Sequence, residues 1–247
     1  GKTPYTTKQI DTLLKTSKNL TYRALIHFMS ASGCRVGAFE ELRIKDVFTP
    51  DFDSQGCKAV LVYADDIKEY YAFIHQEAVE ALDAYLDHRR LKGEVITPDS
   101  WLFCSPIDSS KHYQGNAITS TLSRHVKRAL GREQANRGRY ETSACHGFRI
   151  RFDTIMKNND KMNLSLAEKL TGHSVTIPLD NSYHKPVLER LFVEYQKHIP
   201  QLVINEKYAL KLELKTLQDK DSEIAILKQT MLEMKYNMLE LQNKIKS

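Results

Sequence analysis

Leu217, Ile224, Met231, Met238 and Ile245 recur at every seventh position near the end of this 247-residue chain, and Leu227, Met234 and Leu241 each follow three residues after one of them. Apolar residues at the first and fourth places of a seven-residue repeat suit a helix that buries a narrow seam against another helix. The seam runs for about four heptads through mostly polar sequence and is interrupted at Lys220. A helix laid along its own domain is the competing reading, but it normally shows a broader apolar stripe than two positions in seven. Nothing in residues 1–205 repeats in this way. The chain is therefore expected to divide into a globular domain over 1–205 and a C-terminal coiled-coil helix over 206–247.

Within 1–205 the pattern is mainly helical with a small antiparallel sheet. Thr6 or Thr7 starts a helix carrying Ile10, Leu13 and Leu14. A second covers about 21–32 and stops at Gly33, and a further short helix is expected from Val36 to Leu42. Two β-prone runs, Ala59–Tyr63 and Tyr70–Ile74, flank Asp65-Asp66-Ile67-Lys68-Glu69 and predict a hairpin. Helices are expected over about 76–90, 116–130, 146–158, 164–171 and 187–198.

Composition narrows the function classes. The hydrophobic content of 41% supports a buried core, and ten glycines with seven prolines are too few for a fibrous or disordered chain. No run of eighteen apolar residues predicts a membrane span, and the start lacks the apolar stretch of a signal peptide. Cys34, Cys57, Cys104 and Cys145 stand apart with no CxxC pair, which argues against zinc and disulfides and fits a reducing cytoplasm. The net charge of +5 is unevenly spread: Arg124, Lys127, Arg128, Arg132, Arg137, Arg139, Arg149 and Arg151 face only Glu133 and Glu141 in that segment, a local +6. So concentrated a basic stretch, with arginine dominant, is expected to meet a polyanion such as a nucleic acid, and Arg124, Lys127, Arg128, Arg132, Arg137, Arg139 and Arg151 are the candidate contacts. A solvated helix face is the plainer alternative.

Between Cys145 and Pro186 lie His146, Arg149, His173 and Tyr183, too far apart for one helix face, so they meet only if the chain folds back. A phenol is a poor nucleophile unless cations and hydrogen bonds favour its phenolate. Arg35, Arg149, His146 and His173 are suitable groups, although composition and periodicity do not bring them together. Four stretches do so by resemblance. Gly33-Cys34-Arg35 with Leu42 and Asp46-Val47 resembles the first arginine box of the tyrosine recombinases. His146-Gly147-Phe148-Arg149 matches their HxxR box. Leu170-Thr171-Gly172-His173-Ser174 is similar to their LGHS segment. Ser182-Tyr183-His184-Lys185-Pro186 resembles the nucleophile segment of archaeal-type integrases.

The resemblance implies the tyrosine recombinase catalytic fold and a site-specific recombinase or integrase of a mobile element. Tyr183 would attack a phosphodiester to give a 3′-phosphotyrosine, with Arg35 and Arg149 on the non-bridging oxygens. His146 and His173 would bond the phosphate or phenol. Lys68, at the hairpin turn, would protonate the leaving 5′-oxygen, with Lys58 as its rival. It implies no cofactor, no metal and no ATP. The partners would be double-stranded DNA and further protomers, as a tetramer of the full protein on DNA with the coiled coil self-associating, in the cytoplasm of a prokaryotic, archaeal-like, viral or plasmid setting. An N-terminal domain that completes a clamp on DNA is usual in the family; here the catalytic region begins almost at once. One position departs from the pattern: an acid is usual three residues after the first arginine, and this chain has Ala38. A type IB topoisomerase-like or telomere-resolvase enzyme, a non-catalytic DNA-binding module with an oligomerising coiled coil, and a scaffold built on the coiled coil are the alternatives.

Overall fold

Helix α2 (Leu20–Ser32) is buried on every side from Ala24 to Ser32, so the other elements are arranged around it. Its sequence Ala-Leu-Ile-His-Phe-Met-Ser-Ala-Ser puts apolar side chains on all sides, with His27, Ser30 and Ser32 as buried polar members, which suits a core helix. The computed structural model describes residues 3–131, 142–158, 163–172 and 188–246. They fall into two compact units, Gly1–Asn205 and Glu206–Ser247.

The first unit opens with α1 (Thr7–Lys15), which begins after Thr6. The Gln9 amide donates to Thr6 Oγ1 and the Thr6 amide donates to Gln9 Oε1, so two orphan donors of the first turn are satisfied reciprocally. The expected helix after Arg35 is instead a single 3-10 stretch, Val36–Glu40. Its tighter winding drops Ala38 and Phe39 into the core within one turn. β1 (Val47–Phe48), β2 (Lys58–Val62) and β3 (Tyr70–Ile74) form an antiparallel sheet in that order, with Val62 opposite Tyr70 and Lys58 opposite Ile74. The hairpin lies where the sequence predicts it, while β1 adds a strand too short to show any period.

Helices α3 (Gln76–Leu91) and α5 (His146–Lys157) pack on α2, and α4 (Gly115–Leu130) packs on α1. Phe28, Phe39 and Phe103 meet edge to face with centroids 5.3–5.8 Å apart, and Tyr85 stacks on Phe103. α6 (Leu164–Leu170), α7 (Leu188–Gln196) and α8 (Ile199–Leu202) close the far side, where Tyr195 is fully buried and donates to the Ala31 carbonyl.

The second unit is one helix, α9 (Glu206–Lys246). Its seam side chains Leu217, Ile224, Leu227, Met231, Met234 and Met238 are 49–71% exposed. The side chains of Leu241 and Ile245 lie outside the described residues. Among the described residues no helix is long and apolar enough to cross a membrane. All four cysteines are buried free thiols.

Candidate active site

Gly33 ends α2 in the left-handed region at φ +63, and a Cβ there would collide with the Phe152 ring of α5. Only glycine meets both demands cheaply, so this turn brings the α2 terminus against α5. Arg149, on α5, uses that closeness. Its Nη1 donates to the Gly33 carbonyl at 2.8 Å and its Nη2 to the Thr171 carbonyl. Arg35 lies two residues beyond Gly33, exposed, and donates from Nη1 to the Gly172 carbonyl at 3.2 Å. Residues from two distant stretches thus converge on a third, Thr171-Gly172, the dipeptide that immediately precedes His173.

The electrostatics of this pair are unusual. Arg149 is only 5% exposed, yet its partners are neutral: the two carbonyls of Gly33 and Thr171. Among the described residues neither Arg149 nor Arg35 is paired with a carboxylate. Burial, and then the charge of Arg35, push the Arg149 guanidinium below its usual range. Two cations held together without an acid, one of them buried, make a place that favours an incoming anion.

His146 is the first residue of α5, so it sits where unsatisfied backbone amides and the helix dipole also favour negative charge. Its pKa lies below the ordinary imidazole value because of partial burial and the neighbouring Arg149 and Arg35. It is therefore neutral around pH 7 and able to accept a proton. His173 and Tyr183 lie outside the described residues. Tyr195 is sealed in the core, and burial raises its pKa well above that of an ordinary phenol, so it is no substitute for Tyr183.

Lys68 lies in the connection between β2 and β3, where its amide donates to Asp66 Oδ1 at 2.8 Å and its side chain is exposed. Tyr63 and Asp65 hold left-handed φ values of 56 and 66 in this connection. Such angles are uncommon for non-glycine residues, less so for Asp65 than for Tyr63, whose side chain bears the larger steric cost. Lys58, its rival, opens β2 at the opposite end of the hairpin and pairs with Asp83 at 3.7 Å. Ala38, at the position where an acid was expected, is completely buried among apolar side chains. Nor does Glu40 stand in for it, because its carboxylate accepts the Gly115 amide at the start of α4.

The basic segment separates into different fates. Arg124, Lys127 and Arg128 share one exposed face of α4. Arg124 and Arg128 also line a cleft of about 310 Å³ with Lys18, Asn19, Tyr22 and Thr121, and no acid borders it. Arg132, Arg137 and Arg139 lie outside the described residues. Arg151 corrects the reading from charge alone: it is 5% exposed and donates to the Gln201 and Leu202 carbonyls and to Thr7 Oγ1. Burial lowers its pKa to about 10 and the nearby Glu77 opposes that shift, so Arg151 has the compensating acid that Arg149 lacks. It ties α5 to α8 and is not part of a surface for DNA. Among the described residues no group of three or more His, Cys, Asp or Glu is placed to hold a metal ion.

Three solved structures share this fold. The XerA recombinase is 19% identical with a TM-score of 0.51, over 80% of this chain and 64% of that one. The XerH site-specific recombinase bound to its difH substrate is 20% identical with a TM-score of 0.54, over 77% and 50%. The Tn1549 transposon integrase in complex with a circular intermediate DNA is 18% identical with a TM-score of 0.53, over 80% and 66%. This chain therefore spans between half and two thirds of the length of these relatives. No curated protein is similar enough to the chain to match it. Residues 5–185, well over half of the sequence and the stretch that holds every catalytic candidate, match the phage integrase family, and the chain belongs to that family.

Proposed function

We propose that this chain is the strand-cutting and strand-joining part of a site-specific DNA recombinase that works through a 3′-phosphotyrosine, without metal or ATP. The observation that carries the reading is the arginine pair. Arg149 is buried without a carboxylate, Arg35 stands beside it, and both are held on the carbonyls just before His173. A phosphodiester supplies the missing negative charge, and its bridging P–O bond is the one to be exchanged.

In this reading Tyr183 Oη attacks phosphorus and the P–O5′ bond breaks. The arginines stabilise the charge that grows on the non-bridging oxygens, as a metal ion would elsewhere. His146, neutral at working pH, accepts the phenolic proton, and His173 bonds the phosphate. Lys68 gives a proton to the departing 5′-oxygen. A 5′-hydroxyl from a second duplex reverses the steps. The bond energy stays in the phosphotyrosine, which is why no nucleotide is needed. Double-stranded DNA crosses the exposed face of Arg124, Lys127 and Arg128 through its phosphates. In the full protein, protomers assemble as a tetramer around two duplexes, and α9 contributes to that assembly.

The test is a nicked duplex carrying the target phosphodiester, incubated with the protein in EDTA and run on a denaturing gel. A covalent protein–DNA band is expected, and Tyr183→Phe is expected to bind DNA equally well and give none. An adduct from Tyr183→Phe, or a strict requirement for a divalent metal, overturns the reading. Relaxation of supercoils without exchange between duplexes turns it towards a topoisomerase-like enzyme.

A further inference from the structure

We propose that Tyr70 is a positioning residue that orients Arg149 towards the scissile phosphate and joins the Lys68 hairpin to the arginine pair. The inference rests on the recombinase reading above, and the sequence gives no sign of it, since Tyr70 is one of twelve tyrosines in a β-prone run. Tyr70 opens β3, two residues after Lys68. Its hydroxyl donates to Cys34 Sγ at 3.7 Å, next to the Gly33 carbonyl that Arg149 holds. Its ring lies against Gly172, so closely that a Cβ on Gly172 would overlap it.

One side chain therefore ties together the two stretches whose carbonyls hold Arg149: Cys34, which follows Gly33, and Gly172, which follows Thr171. A guanidinium has five N–H donors in a rigid plane. Two point to the carbonyls of Gly33 and Thr171. Tyr70 braces the neighbours of both carbonyls, Cys34 and Gly172, which fixes the plane and leaves the remaining donors for phosphate oxygens. Burial raises the Tyr70 pKa well above the ordinary phenol value, so it stays neutral, a donor to Cys34 instead of a counter-ion to Arg149. An anionic residue here would cancel the charge that Arg149 offers.

Tyr70→Phe keeps the ring against Gly172 and removes only the hydroxyl. Single-turnover adduct formation should slow about tenfold, the scale of one hydrogen bond, with DNA affinity within about twofold. A duplex whose scissile phosphate carries methyl in place of one non-bridging oxygen is uncharged and asks less of Arg149. On it the variant and the parent should react at nearly the same rate. On a duplex with sulfur at the 5′-bridging position, which needs no proton from Lys68, the tenfold deficit should persist. An equal deficit on the methylphosphonate would reduce Tyr70 to a packing residue, and rescue by the bridging sulfur would mean that it acts through Lys68. A second measurement does not depend on activity. The side-chain N–H protons of Arg149, followed by NMR in the unliganded protein, should exchange at least about tenfold faster in Tyr70→Phe, and unchanged exchange overturns the proposal. If the parent protein forms no adduct on any duplex, the recombinase reading fails, and the exchange rates alone decide whether Tyr70 holds Arg149.

Discussion

Residues up to Asn205 and the helix that follows treat apolar surface in opposite ways. In the first unit Leu13, Leu25, Phe28, Phe73, Phe148 and Phe152 are all at most 1% exposed. Such side chains contribute roughly 1.5–3 kcal/mol each by burial, and this unit closes its core with its own residues. Along α9, Leu210, Leu214, Leu217, Leu227 and Met231 are 58–71% exposed. A lone helix with a two-in-seven stripe has no core of its own, so its stability has to come from packing elsewhere. The polar residues differ in the same sense. Buried cations of the first unit each have assigned partners, as Arg89 has Glu94 and Arg151 has two carbonyls, whereas α9 holds charges that only water needs to solvate. A core that closes on itself can hold an arginine without an acid; an open seam has to be completed by a partner.

The largest effect that would sharpen this contrast is on the chemistry. Arg35→Ala or Arg149→Ala should slow adduct formation by 10²- to 10³-fold, about 3–4 kcal/mol, while DNA affinity falls far less. Both losses should be the same in a chain ending at Asn205 and in the full chain, measured by single-turnover gel assays. Equal falls in affinity and cleavage would recast both as ordinary phosphate contacts, and a loss that depends on α9 would break the division of labour.

The next effect is on stability against pH. His27 is held down to about 4 by burial and then by Arg23, and His75 to about 3 by burial and then by His27 and Arg151. Both are neutral in the folded state at pH 7. Below about pH 6.5 the unfolded chain takes up protons that the folded one refuses, so stability is full above that value and falls as the pH drops towards 4. The loss from His27 alone is about 3 kcal/mol. Residues 206–247 contain no histidine. Chemical denaturation at pH 7 and pH 5 should therefore weaken the first unit, and His75→Leu should flatten its profile. A pH-independent midpoint between those values would contradict the buried neutral histidines.

These contrasts also mark what a sequence discloses. Periodic features were readable: the hairpin, the capping of α1 and the apolar stripes of α3 and α5 each repeat a local rule several times. The arginine boxes were readable only through resemblance, because Gly33 meets Arg149 and Thr171 through packing with elements more than a hundred residues further along the chain. Single-residue fates were not readable. Arg151 shares a helix and a charge run with Arg149, yet it is turned to the carbonyls of α8. Charge counted along a sequence ignores which neighbour each side of a helix meets. β1, the 3-10 form of Val36–Glu40 and the contacts of Tyr70 with Cys34 and Gly172 were hidden for the same reason: one to five residues carry no period, and tertiary contacts decide them.

The smallest effect on the chemistry, and the one that tests the seam directly, comes from α9. Its described seam positions are roughly half to two thirds exposed, and covering them against a second helix would contribute on the order of 1–2 kcal/mol per side chain. Methionine at three of those positions makes the seam adaptable and only loosely selective, and Lys220 within it costs stability while favouring a register that lets its ammonium reach water. Recombination needs several active sites around paired duplexes, so a self-associating helix raises their local concentration without touching the reacting atoms. A chain ending at Asn205 should keep cleavage by Tyr183 nearly intact, show a lower mass in light scattering, and exchange strands between two duplexes less efficiently. Leu227→Ala in the full chain should move in the same direction by less, with no change in the thermal melting of the first unit. If mass and exchange are both unchanged by the truncation, α9 covers its seam with something other than a second copy. The two units would then differ in partner and not in self-sufficiency.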